Sequence, residues 1–130
     1  MTLTEAGAAL GEALYLTSSA DPLCSYVLPT KIPGVRIMIE KDTVVRVDVD
    51  TNLVATDSGA RVGDTEKALQ EHYRPRLRVQ RHKYLPQGHY LIFQPPNDSL
   101  HRVVFETDGQ RVTGLHSGRQ PAVDYVEGCA

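Results

Sequence analysis

This sequence lacks any long apolar segment and any marked excess of charge of one sign. Its longest uncharged apolar runs are a handful of residues, whereas a membrane-spanning helix needs roughly 20. The 130 residues carry 14 basic and 16 acidic side chains, a formal net charge of -2. Because binders of nucleic acid and of anionic lipid normally present a net basic face, the sequence predicts no nucleic-acid partner and no membrane span.

Motifs of catalysis and of cofactor binding are also missing. No Gly-x-Gly-x-x-Gly or Gly-x-x-x-x-Gly-Lys phosphate loop is present, and no serine is framed as Gly-x-Ser-x-Gly. The five histidines include no His-x-x-x-His pair and no zinc-like spacing with cysteine. Asp48 and Asp50 would share a strand face about 7 Å apart, within reach of an acid–base pair, but the simpler interpretation is a solvated strand face. We therefore predict no enzyme, no metal site and no cofactor.

Cysteine is scarce: Cys24 lies near the first strand-like run and Cys129 is next to last. A bridge between them would fasten the tail and close a loop of about 100 residues, which in a loop-entropy model is worth roughly 4 to 5 kcal/mol. The alternative is two unrelated thiols, one of them buried as a small apolar residue. A disulfide favours an oxidising compartment, here the periplasm or cell envelope. Met1 to Glu5 resembles no signal segment, which favours the cytoplasm as the alternative.

Capping residues and apolar periodicity predict two short helices. Thr2 and Glu5 have the spacing of a capping box and predict a helix over residues 3–10. Gly63 to Glu66 opens a second helix, with acidic residues in its first turn, and Pro75 ends it. The inward stripe of this second helix is predicted to comprise Ala68, Leu69, His72 and Tyr73.

Strand-like runs bounded by turn residues follow each helix. They lie at 23–28, 35–40, 44–50, 77–84, 89–94, 102–106, 111–115 and 122–126. The third run has the clearest alternation. Its valines at 45, 47 and 49 are predicted to face the core, and Arg46, Asp48 and Asp50 are predicted to face water. Such a pattern is typical of an antiparallel strand with one face on the core.

The two halves of the chain share one order of elements. Met1 aligns with Asp64, the run 37–40 with 103–106, and Val44 with Val112, at offsets of 63, 66 and 68. Few identities survive, and any helix followed by a meander would align comparably. We predict a single α+β domain over residues 1–130, built from two degenerate repeats at about 1–58 and 62–128. Each repeat is a helix plus an antiparallel β-meander, and together they form one sheet of about seven to eight strands.

This tandem resembles the repeat of the β-lactamase inhibitor protein family and of the related outer-membrane assembly lipoproteins of the SmpA/OmlA type. In those families a Gly-x-Thr/Ser signature opens a helix in each unit. Gly63 to Thr65 has that form, and Met1 to Thr2 fits it only if a preceding glycine has been lost. The runs 88–91, 104–109 and 124–129 also resemble a group of small bacterial envelope proteins. Inhibitor-type units normally hold two helices, whereas one per half is predicted here. The resemblance implies this fold and an envelope location.

A basic and aromatic segment follows the second helix, beginning at Arg74 and including Lys83. Arginine and tyrosine dominate the hot spots of protein recognition. We therefore predict a binding surface formed by Arg76, Arg78, Arg81, Tyr84, His89 and Tyr90. Its partner would be an acidic protein or an anionic glycan. The alternative is that the arginines solvate an edge strand and discourage pairing at that edge.

The function predicted from these features is a non-catalytic binding or inhibitor-like module of the bacterial cell envelope. It would contact a protein or a glycan through an exposed face of the sheet. Two alternatives stay open: a small-ligand carrier or enzyme with a pocket between helix and sheet, and a cytoplasmic interaction scaffold with reduced cysteines. A closed polar pocket with convergent titratable groups would favour the carrier or enzyme, and a broad aromatic face would favour the module.

Overall fold

The computed structural model describes residues 1–16, 20–73 and 76–129, which form two α-helices and one antiparallel sheet of seven strands. The helices are α1 (Leu3–Leu10) and α2 (Glu66–Tyr73). The strands are β1 (Ser25–Val27), β2 (Val35–Glu40), β3 (Thr43–Val49), β4 (Leu77–Arg81), β5 (His89–Phe93), β6 (His101–Thr107) and β7 (Val112–Arg119). The predicted α+β class and single sheet are confirmed. Arg74 and Pro75, predicted as part of the basic segment and as the helix end, lie outside the described residues.

Local capping explains where α1 begins and ends. The Glu5 amide donates to Thr2 Oγ1 at 3.2 Å, and the Thr2 amide donates to Glu5 Oε1 at 2.9 Å, which completes the predicted capping box. Gly11 follows the last turn with φ 69°, in the left-handed region that glycine adopts readily. The predicted helix over residues 3–10 is therefore confirmed.

The second helix is shorter than its sequence pattern indicated. Its amide at Ala68 donates to Thr65 Oγ1 at 3.1 Å, so Thr65 supplies the cap. Leu69 and Tyr73 are buried, but Ala68 and His72 are exposed. The predicted four-residue stripe is wrong for those two, because an eight-residue helix contacts the sheet along one i, i+4 line.

The strand order is β1-β2-β3-β7-β6-β5-β4, so β3 and β7 join the two halves at the centre and β1 and β4 form the edges. Adding 68 to both members of the Val35–Val49 pair gives the Val103–Ser117 pair, and the same holds for the other β2–β3 pairs up to Ile39–Val44. The predicted offset of 66 between β2 and β6 is wrong by two. The β2–β3 and β6–β7 hairpins have equal length, so the offset is 68 throughout both of them. The additional residues of the second half therefore all lie before β6.

Each helix also begins beside a central strand. The Met1 carbonyl accepts from the Val44 amide, and the Asp64 carbonyl accepts from the Val112 amide, both at 2.8 Å. Residues 1 and 64 therefore hold equivalent places relative to β3 and β7.

Both helices pack on one face of the sheet, termed here the helix face. Leu3 of α1 packs against Val27, Ile37 and Ile39. The residues of α2 belong to a larger cluster that contains Val35, Val49, Leu69, Tyr73, Leu91, Phe105, Val112 and Leu115. The opposite face is covered in part by the C-terminal segment 120–129, termed the tail, and is called the tail face.

A bulge in β3 changes the predicted faces of that strand. Ile39 pairs with Val44 and Met38 with Arg46, which leaves Val45 unpaired. Val45 therefore packs on the tail face against Met38, and the prediction that it shares a core face with Val47 and Val49 is wrong. Arg46 and Asp48, predicted to face water, are buried, because the tail covers them.

The tail itself differs from its prediction. Residues 122–126 were expected to form a strand, but Ala122–Asp124 is a short 3-10 helix. Its turn is closed by the Asp124 amide, which donates to the Pro121 carbonyl at 2.9 Å. The strand prediction is wrong because the tail crosses the sheet face, where no neighbouring strand edge is present to pair with it.

The predicted disulfide is present. Cys24 and Cys129 are bonded, with Cα atoms 5.6 Å apart and a sequence separation of 105. Such bonds are typical of proteins in a non-reducing compartment. No helix among the described residues is long and apolar enough to cross a membrane.

Candidate functional site

One row of side chains crosses the tail face on six neighbouring strands. Strand register sets this central row, which runs from β2 to β4 as Arg36, Asp48, His116, Val104, Ile92 and Arg78. An arginine therefore ends the row on each side of the sheet. The middle of the row combines one carboxylate, one imidazole and two apolar side chains.

The tail packs against both halves of this face. Val123 is fully buried against Ile92 and Val104 of the second half. Ala122 is buried against Met38 and Val45 of the first half. These contacts make the start of the tail part of the hydrophobic core of the domain.

A buried ion pair between Arg46 and Asp48 of β3 fastens the tail to the sheet. Arg46 Nε and Nη2 donate to the two carboxylate oxygens of Asp48 at 2.6 and 3.1 Å. Arg46 Nη1 donates to the carbonyls of Ala122 and Tyr125 at 3.1 and 2.6 Å. The exposed fractions of the two charged side chains are only 4% and 8%. Because buried charges need full pairing, this geometry fixes the tail to β3.

Asp48 also organises the neighbouring wall of the face. It accepts from the Tyr26 hydroxyl at 3.3 Å and from Arg36 Nη2 at 3.4 Å. Burial, together with the nearby Asp48 carboxylate, raises the pKa of Tyr26. The phenol therefore stays protonated and remains a donor.

The distal end of the tail is fastened on both sides of the sheet. Cys129 is bonded to Cys24, which directly precedes β1. The Glu127 carboxylate accepts from the Tyr84 hydroxyl and lies 3.5 Å from Lys83 Nζ, both of which follow β4. The Tyr84 hydrogen bond and the Lys83 charge lower the pKa of Glu127. The tail thus closes one end of the tail face.

Beside the tail, the face opens into a cleft of about 750 Å³. This volume lies within the roughly 300–1,000 Å³ typical of ligand sites. The residues that line the cleft and matter most here are Tyr26, Arg36, Asp50, Arg78, Tyr90, Glu106, Gly114, His116 and Tyr125. Aromatic, basic and acidic groups from both halves of the sheet therefore meet in one space.

The two glycines of β7 differ in how much room the structure leaves for a side chain. A Cβ on Gly118 would lie 2.3 Å from the Val45 carbonyl oxygen, so the close approach of β3 and β7 requires a glycine there. A Cβ on Gly114 would meet only the Val49 carbonyl oxygen, at 3.6 Å. Position 114 is equivalent to Arg46 when 68 is added, and the missing side chain leaves the floor of the cleft open.

Two histidines contribute as neutral hydrogen-bonding groups. His116 Nε2 donates to the Val123 carbonyl at 2.7 Å, and burial and the Arg46 charge lower its pKa to about 4. His82 Nδ1 accepts from the amides of Tyr84 and Leu85, both at 3.0 Å, so its proton lies on Nε2. That Nε2–H donates to the Glu106 carboxylate at 2.5 Å. With both nitrogens engaged, His82 holds a loop in place and is not free to act as a base.

The predicted binding residues do not share one face. Arg78 and Tyr90 line the cleft. Tyr84 contacts the tail at Glu127. Arg81 and His89 are cross-strand neighbours of β4 and β5, and both lie on the helix face. There, His89 Nδ1 lies 2.7 Å from Glu66 Oε1. Arg76 is exposed just before β4. The structure therefore brings together only part of the predicted surface, because alternate residues of a strand point to opposite faces.

The two carboxylates Asp48, in β3, and Asp50, directly after it, differ in their surroundings. Asp48 is buried with Arg46, and Asp50 Oδ2 lies 3.6 Å from Arg36 Nη1. Each carboxylate is thus paired with a guanidinium, Asp48 in a buried position and Asp50 in an exposed one. The solvated strand face predicted from the sequence is confirmed for Asp50 and wrong for Asp48.

Sequence reasoning missed Arg36, Glu106 and His116 as cleft residues, since none belongs to a motif. A usable signal was present in β7, where Gly114 and Gly118 flank His116 on one strand face. Same-face glycines inside a strand indicate a close backbone approach or an open surface.

A second cavity lies on the helix face. Its volume is about 510 Å³, and apolar side chains dominate its lining, among them Val47, Tyr73, Phe93 and Val103. It lies between the sheet and the segment 54–58, beside Tyr73 at the end of α2, and an apolar cavity of this size could hold a small ligand.

Comparison of the chain with family models, curated proteins and solved structures gives no match. In the described parts of the chain, no three histidine, cysteine, aspartate or glutamate side chains converge as a metal site. The geometry of the two cavities is therefore the basis for a functional proposal.

Proposed function

We propose that this protein is a non-catalytic, inhibitor-like binding module of the bacterial cell envelope, whose tail-face cleft receives a segment of a partner protein. The observation that carries the proposal is the cleft of about 750 Å³, with Tyr26 and Tyr90 on its two sides and Arg36 and Arg78 at the ends of its central row. Tyrosine and arginine are the side chains that most often anchor protein interfaces.

Pairing of the cleft charges favours binding over catalysis. Asp50 is paired with Arg36, and the Glu106 carboxylate accepts from the neutral His82 ring. General acid–base catalysis needs a titratable group free to exchange a proton with a substrate. The paired groups of this cleft are instead arranged to present fixed charges and hydrogen-bonding atoms.

The sign of the cleft charge favours a protein over an anionic glycan. Three arginines line the cleft, but five carboxylates do so as well, at Asp48, Asp50, Glu106, Asp124 and Glu127. A polyanion would meet net repulsion in this space. A protein segment with mixed polar and apolar side chains matches the lining better.

An envelope location is part of the proposal. The Cys24–Cys129 bond supports it, because such a bond persists in the oxidising periplasm and is rare in the cytosol. The resemblance to β-lactamase inhibitor proteins and SmpA/OmlA-type lipoproteins points to the same location. A cytoplasmic scaffold would have to keep both thiols reduced.

The two halves of the domain are further proposed to be copies of one unit. The constant offset of 68 between the β2–β3 and β6–β7 registers supports this origin, as does the bulge found at the same place in both hairpins. Duplication would explain why the first half, which is fastened to the tail, and the second half, which forms the floor of the cleft, have the same backbone arrangement.

Two leucine substitutions in β7 test the proposed site. Gly114→Leu fills the floor of the cleft, whereas Ser117→Leu fills the helix-face cavity from the same strand. Immobilised wild-type protein and both variants would be used to capture proteins from an envelope fraction, and the captured partner would then be titrated in purified form. We expect Gly114→Leu to weaken its binding at least tenfold and Ser117→Leu to leave it unchanged. Equal binding by Gly114→Leu would contradict the proposal.

A small-ligand carrier is the second candidate, and the apolar helix-face cavity of about 510 Å³ favours it. In that case Ser117→Leu, and not Gly114→Leu, would reduce the amount of apolar small molecule recovered with the purified protein. Mass spectrometry of the organic extract measures this amount.

A further inference from the structure

The two edges of the sheet are protected to different degrees. Edge strand β1 has three residues, and Cys24 directly before it is held by the disulfide. Edge strand β4 has five residues, of which four are exposed. A longer and more exposed edge is the better template for pairing with another strand.

The hydrogen-bond phase of β4 identifies the backbone groups that face outward. The His82 amide donates to the Gly88 carbonyl at 3.0 Å, so His82 and Gly88 form a hydrogen-bonded pair. The Gln80–Tyr90 pair lies two residues further along the same ladder and is therefore a hydrogen-bonded pair as well. In an antiparallel ladder, hydrogen-bonded pairs alternate with pairs whose backbone groups point away. The amides and carbonyls of Leu77, Val79 and Arg81 therefore point away from β5, toward the outside of the sheet.

Side chains along this edge combine positive charge with apolar surface. Arg78 projects to the tail face, and Leu77, Val79 and Arg81 project to the helix face. Val79 is 49% exposed. Among the described residues, no carboxylate lies within 4 Å of Arg76, Arg78 or Arg81. The edge thus offers unpaired guanidinium groups next to unpaired backbone groups.

We propose that the outer edge of β4 binds an extended acidic segment of a partner protein and adds it to the sheet as an eighth strand. Backbone hydrogen bonds to Leu77, Val79 and Arg81 would supply affinity, as in other cases of strand addition. A carboxylate beside Arg78 on one face and an apolar residue beside Val79 on the other would supply specificity.

Charge complementarity selects this occupant over a second copy of the chain. Pairing β4 with β4 of another molecule would bring the arginines of both strands together, and like charges across a strand pair are destabilising. An acidic strand instead neutralises them. The inference goes beyond the proposed function, since the outward backbone groups of β4 face away from the cleft, although Arg78 is shared by the two sites.

A peptide titration tests this site directly. The probe is a fluorescein-labelled nonapeptide of alternating glutamate and valine, and its control is the same peptide with lysine in place of glutamate. Fluorescence anisotropy at low salt measures binding to the oxidised 130-residue protein. We expect the glutamate peptide to bind, the lysine peptide not to bind, and size-exclusion chromatography to show that the protein does not associate through this edge.

Two variants separate backbone pairing from simple charge attraction. Val79→Pro removes one outward amide, and proline is tolerated on an edge strand where the amide faces solvent. Arg78→Glu reverses one charge, and Arg119→Glu reverses an exposed arginine at the end of β7 as a matched control. We expect each of the first two variants to weaken peptide binding at least tenfold and the control to change it less than twofold.

Several results would overturn the inference. These are equal binding of both peptides, full binding by Val79→Pro, a dimer formed through β4, or no binding of the glutamate peptide at millimolar concentration. If Val79→Pro fails to fold, hydrogen exchange on the wild type replaces it: the amides of Leu77, Val79 and Arg81 must become protected when the glutamate peptide is added. Gly114→Leu keeps the two proposals separable. Loss of the peptide in that variant would place it in the cleft, which would overturn the edge site and support the cleft.

Discussion

The two halves of the tail face share a backbone frame and differ in what fills it. Arg46 of the first half is equivalent to Gly114 of the second, and Asp48 is equivalent to His116, its own cross-strand neighbour. In the first half, a buried ion pair holds the tail against the sheet. In the second half, a glycine and a neutral imidazole leave an open floor. A few side chains therefore decide that one side of this frame is fastened to the tail and the other side is open.

The sheet edges repeat this division. The first half ends in a short strand next to the disulfide, whereas the second half ends in β4, which is longer and carries arginines. Part of the basic and aromatic segment of the second half has a counterpart in the first. Tyr26 pairs with Met38 and Tyr90 pairs with Glu106, and Met38 and Glu106 are themselves equivalent. The strand without a counterpart among the described residues is β4, where contact with a partner is proposed.

Removal of the disulfide should cause the largest effect, because it releases the first half from the tail. We expect the Cys24→Ser/Cys129→Ser protein to lose roughly 4 to 5 kcal/mol of unfolding free energy, the loop-entropy value for a loop of this length. Urea denaturation measures the loss, and reduced wild-type protein serves as the control that should match the variant. A loss below about 1 kcal/mol would show that the other tail contacts suffice.

Breaking the buried ion pair should have the next largest effect. Arg46→Met leaves Asp48 buried without its main partner, and such changes typically cost about 3–5 kcal/mol. We expect the double variant Arg46→Met/Asp48→Leu to regain at least half of the loss in urea denaturation, because no unpaired charge remains. Arg119→Met, at an exposed site, is the control and should stay within about 0.5 kcal/mol of wild type. Equal losses in the single and double variants would contradict this explanation.

The neutral imidazole of the second half should make stability depend on pH. The folded pKa of His116 is about 4, below its ordinary value of 6.5, so the unfolded chain binds more protons between these values. Unfolding free energy should therefore fall as pH is lowered from about 6.5 to about 4, by up to about 3 kcal/mol. His116→Gln keeps a hydrogen-bond donor without titrating and should lose less stability over the same range. Identical pH profiles in urea denaturation would show that His116 does not titrate in this way.

Alanine substitution of the two β7 glycines should have the smallest effect on stability, and the two positions should differ in that effect. Gly118→Ala forces a Cβ against the Val45 carbonyl, so we expect a loss of about 1–3 kcal/mol from overpacking. Gly114→Ala projects into open space and should stay within about 0.5 kcal/mol of wild type. Thermal unfolding of the pair measures the difference. A larger loss for Gly114→Ala would mean that the cleft floor is not free.

Much of the fold could be predicted where the signal is local. The capping box at Thr2 and Glu5 gave the bounds of α1, and the run 35–40 matches β2 (Val35–Glu40) at both ends. The disulfide was also predicted, since only two cysteines are present. Faces were predicted less well: Val45 points to the other side because a bulge adds one residue to β3. A single inserted residue reverses strand alternation and leaves no mark in the pattern of apolar residues.

By itself, the amino-acid sequence determined the class of the fold, the order of its helices and strands as far as β7, and the two cysteines that fasten the tail, because caps, turns and alternation act over a few residues. Tertiary structure alone decided that Arg46 and Asp48 are buried, that Gly114 opens a cleft and that the predicted basic surface divides between two faces. Each of these depends on residues far apart in the chain meeting across a sheet. Their energies are set by burial and pairing, which become defined only when the strands and the tail are in place.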